Sequence, residues 1–165
     1  MDQRRLALLA LHFIPGLGDY LIRQLVSYCG SAEKVFKTPK GKLRKVPGIG
    51  EITAESITLG KPFALAEKEL RRAEKENARL IFFTDDNYPS RLRQVNDAPS
   101  LIYLKGDVDL ENPKVVGIVG TRQATPYGKK CVEELVQALV AHRSLIVSGL
   151  AYGIDIHAHK QALKN

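Results

Sequence analysis

The sequence has few of the residues that staple, span or coordinate. It holds 2 cysteines in 165 residues, Cys29 and Cys131, far apart and in no spaced motif. Reduced thiols are therefore expected, with neither a disulfide framework nor a metal site. The most apolar early segment, Leu6 to Ile14, is too short to span a bilayer and is interrupted by His12. No charged stretch followed by an apolar one opens the chain as a secretory leader would, so a cytoplasmic protein is expected. The dinucleotide fingerprint is missing, because Gly117-x-x-Gly120 is followed by no third glycine at the required spacing. A P-loop glycine-lysine pattern occurs nowhere either. NAD, FAD and P-loop nucleotides are thus disfavoured, and no cofactor is expected. No serine or cysteine nucleophile with a placed base can be picked out, so no catalytic residue and no enzyme activity are expected.

What is present is an ordinary apolar share, 44%, and an excess of positive charge, +7. That length and composition allow one large or two small domains with a real core. The charge is uneven: residues 1–62 carry 10 Lys or Arg against 5 Asp or Glu, while residues 63–165 carry 15 against 13. Basic surface in the first third suits an anionic partner, and a polyanion above all.

Leu6, Leu9, Ala10 and Phe13 follow the spacing of a helix with one apolar face, which ends at Ile14-Pro15-Gly16-Leu17-Gly18. A second helix is expected from Asp19, read as its cap, with Leu21, Ile22, Leu25, Val26 and Tyr28 inward, stopping at Gly30. Ser31 caps a short helix through Lys37. The same phrase then returns as Val46-Pro47-Gly48-Ile49-Gly50 before a helix from Glu51 to Leu59, with Gly60 as its cap; from Pro15 to Pro47 the shift is 32 residues. The unit resembles the helix-hairpin-helix motif, whose glycine turn offers N–H groups to a nucleic-acid phosphate without reading bases. Lys42, Arg44 and Lys45 precede the second turn and, with Gly48 and Gly50, are its candidate secondary DNA contacts. The first turn carries Asp19 where a cation would serve better. A scaffold or protein-docking role for the paired hairpins stays open.

Pro62 opens a charged surface helix to Arg79, its narrow apolar stripe formed by Phe63, Ala66, Leu70 and Ala73. Leu80 to Phe83 and Leu101 to Leu104 read as short strands. Asp85 and Asp86, next to Asn87, read as turn formers and not as metal ligands.

The most informative stretch runs from Lys114 to Gly128. Val115, Val116, Ile118 and Val119 make a β-branched run without alternation, as a strand buried on both faces of a parallel sheet would. Thr121, Arg122, Gln123 and Thr125 put donors into the turn, and Pro126 suits the first position of the next helix. That helix, Tyr127 to His142, places Val132, Leu135, Val136, Leu139 and Val140 on one face. Leu145-Ile146-Val147 follows as the next parallel strand, and Ser148 to Gly153 is a second small-residue turn into a helix. Adjacent parallel strands end at the same edge, so both turns should lie side by side. Two helix N-termini there make an anion cradle, with Arg122 as its fixed charge. On the last helix, His157 and His159 point apart, Asp155 and His159 could share a face, and Asp155 is read chiefly as a cap.

Val119-Gly120-Thr121-Arg122, Tyr127-Gly128, and Ser148-Gly149-Leu150-Ala151-Tyr152-Gly153-Ile154-Asp155-Ile156-His157-Ala158-His159 with Ala162-Leu163 resemble the DNA-processing protein A (DprA, or Smf) family. The resemblance is strong over Tyr88 to Leu163 and weaker before it. Two residues depart from the family pattern: Thr121 stands where serine is usual, and Tyr152 where arginine is common. The resemblance implies an α/β chain in three parts: a SAM-like/helix-hairpin-helix domain over 1–61, a connecting helix over 62–79, and the first part of a Rossmann-like DNA-binding domain over 80–165. It implies a protein that binds single-stranded DNA, protects it and loads the RecA recombinase in natural transformation or recombination. It also implies that Arg122 grips a phosphate, with Gly120, Thr121, Gly149 and Gly153 lending N–H groups. The family's domain continues past Leu163, so an unpaired sheet edge and homodimerisation or higher self-association are expected. A nucleoside-monophosphate phosphoribohydrolase on a related fold and a non-catalytic docking scaffold are the alternatives.

Overall fold

The computed structural model describes residues 2–59 and 62–165, so Gly60 as a helix cap lies outside the described residues. The chain is mixed α/β and divides into two compact units, Met1–Val108 and Asp109–Asn165.

The first unit begins with five helices, α1 (Gln3–Leu11), α2 (Asp19–Cys29), α3 (Ala32–Lys37), α4 (Lys40–Leu43) and α5 (Glu51–Thr58). α6 (Phe63–Lys75), strand β1 (Ala78–Phe82), short α7 (Ser90–Arg93) and strand β2 (Leu101–Lys105) complete it. Every residue from Ala7 to Leu11 is buried, which fits a sequence apolar nearly all round in that segment. Two expectations for α2 fail. Gly18 is its N-cap, and Asp19 is its first helical residue. Tyr28 is 54% exposed, because its ring falls off the stripe made by Ile22, Leu25 and Val26.

The repeat is one of backbone as well as sequence. Ile14 N–H donates to Leu11 O at 3.2 Å and Leu17 N–H to Ile14 O at 3.2 Å; 32 residues on, Val46 N–H donates to Leu43 O at 3.0 Å and Ile49 N–H to Val46 O at 3.1 Å. Gly16 and Gly48 both take positive φ, 77° and 85°, a conformation that costs glycine little and other residues more.

The strands β1 and β2 pair antiparallel, with Leu80 opposite Tyr103 and Phe82 opposite Leu101. Leu80 and Phe82 belong to the same apolar core as the helices, and Leu101 packs against it. Both strands therefore fall within the first compact unit, which ends at Val108: a two-stranded ribbon has no core of its own and buries its apolar face on the helices. Asp85 behaves as a turn former, accepting the Phe82 N–H at 3.0 Å and Arg5 Nη1 at 2.8 Å.

In the second unit, β3 (Val115–Gly117) and β4 (Leu145–Val147) run parallel with Val116 opposite Ile146. Helices α8 (Pro126–Ala141) and α9 (Ile154–Ala162) supply the cover. The core is small: Ile118, Val132, Val136, Ile146, Ile154 and Ala158. The run Val115 to Val119 is not buried on both faces. Ile118 and Ile146 are buried while Val119 is 79% and Val147 47% exposed, the alternation of a sheet covered on one side. Leu135, expected inward, is 48% exposed. No helix among the described residues is long and apolar enough to cross a membrane.

Candidate nucleic-acid interface

The two glycine turns of the second unit lie against each other at one end of the parallel pair. Ile118 N–H extends the ladder to Val147 O at 2.9 Å, and Ile154 N–H at the start of α9 donates to Thr121 O at 3.1 Å. Gly153 is the N-cap of α9, with φ +91°, and a Cβ on it would collide with the backbone of Thr121 and Arg122. Gly120 is equally tight, since a Cβ there would lie 2.7 Å from Ile154 Cγ1. These two glycines let the turns touch. That close approach is what their lack of a side chain secures.

Asp155 fastens the pair. Its Oδ1 accepts Gly120 N–H at 3.3 Å and its Oδ2 accepts Gly149 N–H at 3.1 Å. The residue is 5% exposed. Burial works against its charge, but the Ser148 hydroxyl and the N–H groups of Gly120, Gly149 and Ala151 outweigh it, so the carboxyl titrates below its ordinary value. Ser148 has one proton for two acceptors, the Ile118 carbonyl at 2.6 Å and this carboxylate; the backbone donors therefore carry most of the load. Asp155 is thus the bond between the turns, whereas the N-cap of its own helix is Gly153.

This arrangement changes how an anion would be held. Gly120 and Gly149 were expected to lend their N–H groups to a phosphate, yet both groups face Asp155. Thr121 Oγ1 accepts Gln123 N–H at 3.1 Å, and the first helix's N-cap, Thr125, turns inward to accept Gly128 N–H at 3.1 Å. Two of the four expected backbone donors, Gly120 and Gly149, are thus already used by the protein itself. Positive side chains remain. Arg122 is exposed and forms no ion pair among the described residues. It borders an open cleft of about 370 Å³ together with Gln123, Lys129, Tyr152, His157 and Lys160. Lys129 and Lys160 likewise have no carboxylate partner among the described residues, whereas neighbouring Lys130 lies 4.0 Å from Glu134.

Sequence reasoning missed Lys129 and Lys160 as members of the site. Their signal was present: Gly153, Ile156 or His157, and Lys160 share one face of α9 at i, i+3 or i+4, and i+7. Of the histidines, His157 reaches the cleft, where its Nε2 lies 3.3 Å from Glu133 Oε1. Gln161, buried, donates to the same carboxylate oxygen at 2.9 Å. His159 is half-buried and takes no part in lining the cleft. Among the described residues no group of acids, histidines and cysteines could hold a metal ion.

The first unit places its own candidates differently. Arg44 is engaged by Glu51 at 2.7 Å, and Lys40 by Glu51 at 2.6 Å and Glu55 at 3.4 Å. These pairs sit on α4 and the start of α5, around the second glycine turn, and leave Lys42 and Lys45 exposed beside it. Gly50 is the N-cap of α5 and makes no side-chain cap bond. A Cβ on Gly48 would press on the flexible end of Leu21, 2.8 Å away. At the first turn, Asp19 is used internally: its Oδ1 accepts both the N–H and the hydroxyl of Ser100 at 2.7 Å. Ser100 is fully buried, and its Oγ also lies 3.2 Å from His12 Nε2. A buried serine with these partners is a joint between the helices and β2.

The family model for DNA recombination-mediator protein A matches residues 79–165. Over 94% of the chain and 40% of the relative, the sequence is 32% identical to Protein Smf of Synechocystis sp.. It is 46% identical to the DNA processing protein DprA of Streptococcus pneumoniae over 49% of the chain and 28% of that protein. The chain therefore spans about 40% or less of the length of these curated relatives. The X-ray structure of DNA processing protein A from Streptococcus pneumoniae superposes with a TM-score of 0.73 at 28% identity, covering 99% of this chain and 54% of that one. With the family model matched over more than half of the sequence and DprA and Smf proteins similar in sequence and fold, the chain belongs to the DNA recombination-mediator protein A family.

Proposed function

We propose that this chain binds single-stranded DNA through its phosphate backbone, without base specificity, as part of a protein that protects DNA and loads the RecA recombinase in natural transformation or recombination. The observation that carries the reading is the cleft itself: Arg122, Lys129 and Lys160 border it and none of the three is ion-paired among the described residues, the Glu133 carboxylate being taken up by His157 and Gln161. Buried Asp155 already has its charge answered by backbone N–H groups and the Ser148 hydroxyl. Cationic side chains around an open cleft attract a polyanion and carry no sequence information. The site is read as one that holds and does not react. The Rossmann-like character of the second unit and the SAM-like/helix-hairpin-helix character of the first belong to this proposal. So do secondary contacts from Lys42, Lys45, Gly48 and Gly50, with Arg44 weakened in that role by Glu51. Self-association is part of it as well, since only two strands pair in the second unit and Val119 and Val147 stand exposed there.

Fluorescence polarisation with a labelled oligo-dT tests the reading. Three phosphate contacts predict that log affinity falls against log salt with a slope of about −2, and Arg122→Ala should flatten that slope by roughly 0.7. Undiminished binding by Arg122→Ala at every salt concentration would move the site to the helical unit. Absence of binding by the unaltered chain would leave an enzyme or a scaffold.

A further inference from the structure

The cleft contains one large ring that the packing of this chain does not use. Tyr152 is 85% exposed and borders the cleft beside Arg122, Lys129 and Lys160. Its ring makes no aromatic or cation contact within the protein among the described residues, although three arginines elsewhere lie over rings. The backbone beneath it is fixed on both sides. Ala151 donates its N–H to Asp155 and accepts from Ile156 N–H at 3.0 Å. Gly153 is wedged against Thr121 and Arg122. Leu150, two residues earlier, is held at φ +56°, a left-handed conformation costly for leucine, so the turn is dictated by its surroundings.

Resting on the phosphate-binding reading above, we propose that Tyr152 is a stacking platform for one nucleobase of the bound strand, and that it makes the cleft prefer single strands to duplex. An aromatic ring with only two side-chain torsions, on a root already immobilised, loses little freedom when a flat base settles on it. The cations within the same cleft place a phosphate next to that base. In a duplex both faces of each base are covered by neighbours, so only an unpaired strand can offer one. Every base has a π face, so the contact keeps the binding indifferent to sequence.

The test compares three labelled probes of equal length by polarisation: oligo-dT, an abasic phosphodiester strand and a duplex. Tyr152→Ala should weaken oligo-dT binding about tenfold while leaving the abasic strand and the duplex unchanged, and Tyr152→Phe should bind as the unaltered chain does. The chain has no tryptophan, so Tyr152→Trp installs a lone indole whose emission should be quenched by oligo-dT and not by the abasic strand. Equal loss on oligo-dT and abasic strand, or no loss on either, overturns the stacking role. If Arg122→Ala still weakens the abasic strand in that case, the phosphate-binding reading survives it. Failure of the unaltered chain to bind any of the three probes overturns both.

Discussion

Asp19 in the first unit and Asp155 in the second occupy matching places: each sits at the start of a helix that follows a glycine turn. Each accepts donors from another part of the chain: Asp19 takes both the N–H and the hydroxyl of Ser100, and Asp155 takes the N–H of Gly120, 35 residues away, and that of Gly149 in the turn just before its own helix. What they leave behind differs. Asp19 joins its turn to a buried serine and a half-buried histidine, and the nearby Arg23 points to the carbonyls of Val95 and Ala98, so that end of the molecule has little left for a ligand. Asp155 takes up backbone N–H groups and the Ser148 hydroxyl, and the cations that border the cleft stay exposed. An acid inside an anion site need not repel the anion when local dipoles answer its charge. It does shift the attraction from backbone to side chains, which makes binding more dependent on salt.

Glycine substitutions give the largest way to break this comparison. Gly153→Ala would put a methyl into the Thr121 and Arg122 backbone at positive φ, so the second unit should lose more than about 3 kcal/mol, with DNA binding lost alongside. Gly16→Ala, also at positive φ but with nothing nearer than Thr53 Oγ1 at 3.8 Å, should cost about 1 kcal/mol. Thermal unfolding of both variants checks this, and equal losses would mean that contact between the turns is not what fixes the second unit.

Removing each carboxylate sharpens the contrast at the next level. Asp19→Ala leaves the N–H of fully buried Ser100 without its acceptor and should cost about 2 kcal/mol with oligo-dT affinity retained in the folded protein. Asp155→Ala should lower oligo-dT affinity at least about tenfold, although Asp155 itself lies outside the cleft lining, because the Arg122 turn then loses its tie, through Gly120, to the helix that carries Lys160. A DNA affinity that follows Asp19 and ignores Asp155 would reverse the assignment of the site.

Acidification separates the two joints by the smallest effect. Burial holds His12 below its ordinary 6.5, against the pull of Asp19. The unfolded chain therefore takes up that proton first, and stability present above pH 6.5 falls away as pH drops toward the folded value. Asp155 is held below its ordinary 3.8, so its contribution persists above pH 3.8 and is lost only below it. Hydrogen exchange followed from pH 7 downward should show the first unit loosening ahead of the second, and His12→Gln should remove the early phase.

Much of the architecture was legible before any coordinates. The 32-residue repeat returned as matching turns, and Val115 to Val147 as strand, helix and parallel strand. Arg122 is exposed and borders the cleft. Burial of Val119, Leu135 and Tyr28 was misjudged because periodicity names a face without saying whether anything covers it. Where β1 packs was not legible for a related reason: its sequence reads as a short strand, and only the structure shows it sharing the apolar core of the helices.

The order of elements, the two glycine turns of each unit and the positive charge between them follow from the sequence alone, because they rest on local spacing and on residue types with narrow conformational uses. Which acceptor each turn's N–H groups meet, and which lysines join Arg122, was settled only in three dimensions. Asp155 reaches Gly120 across 35 residues, and the cleft joins Arg122 to Lys160. Contacts over such distances depend on how two helices and two strands pack together, which no short stretch of sequence encodes.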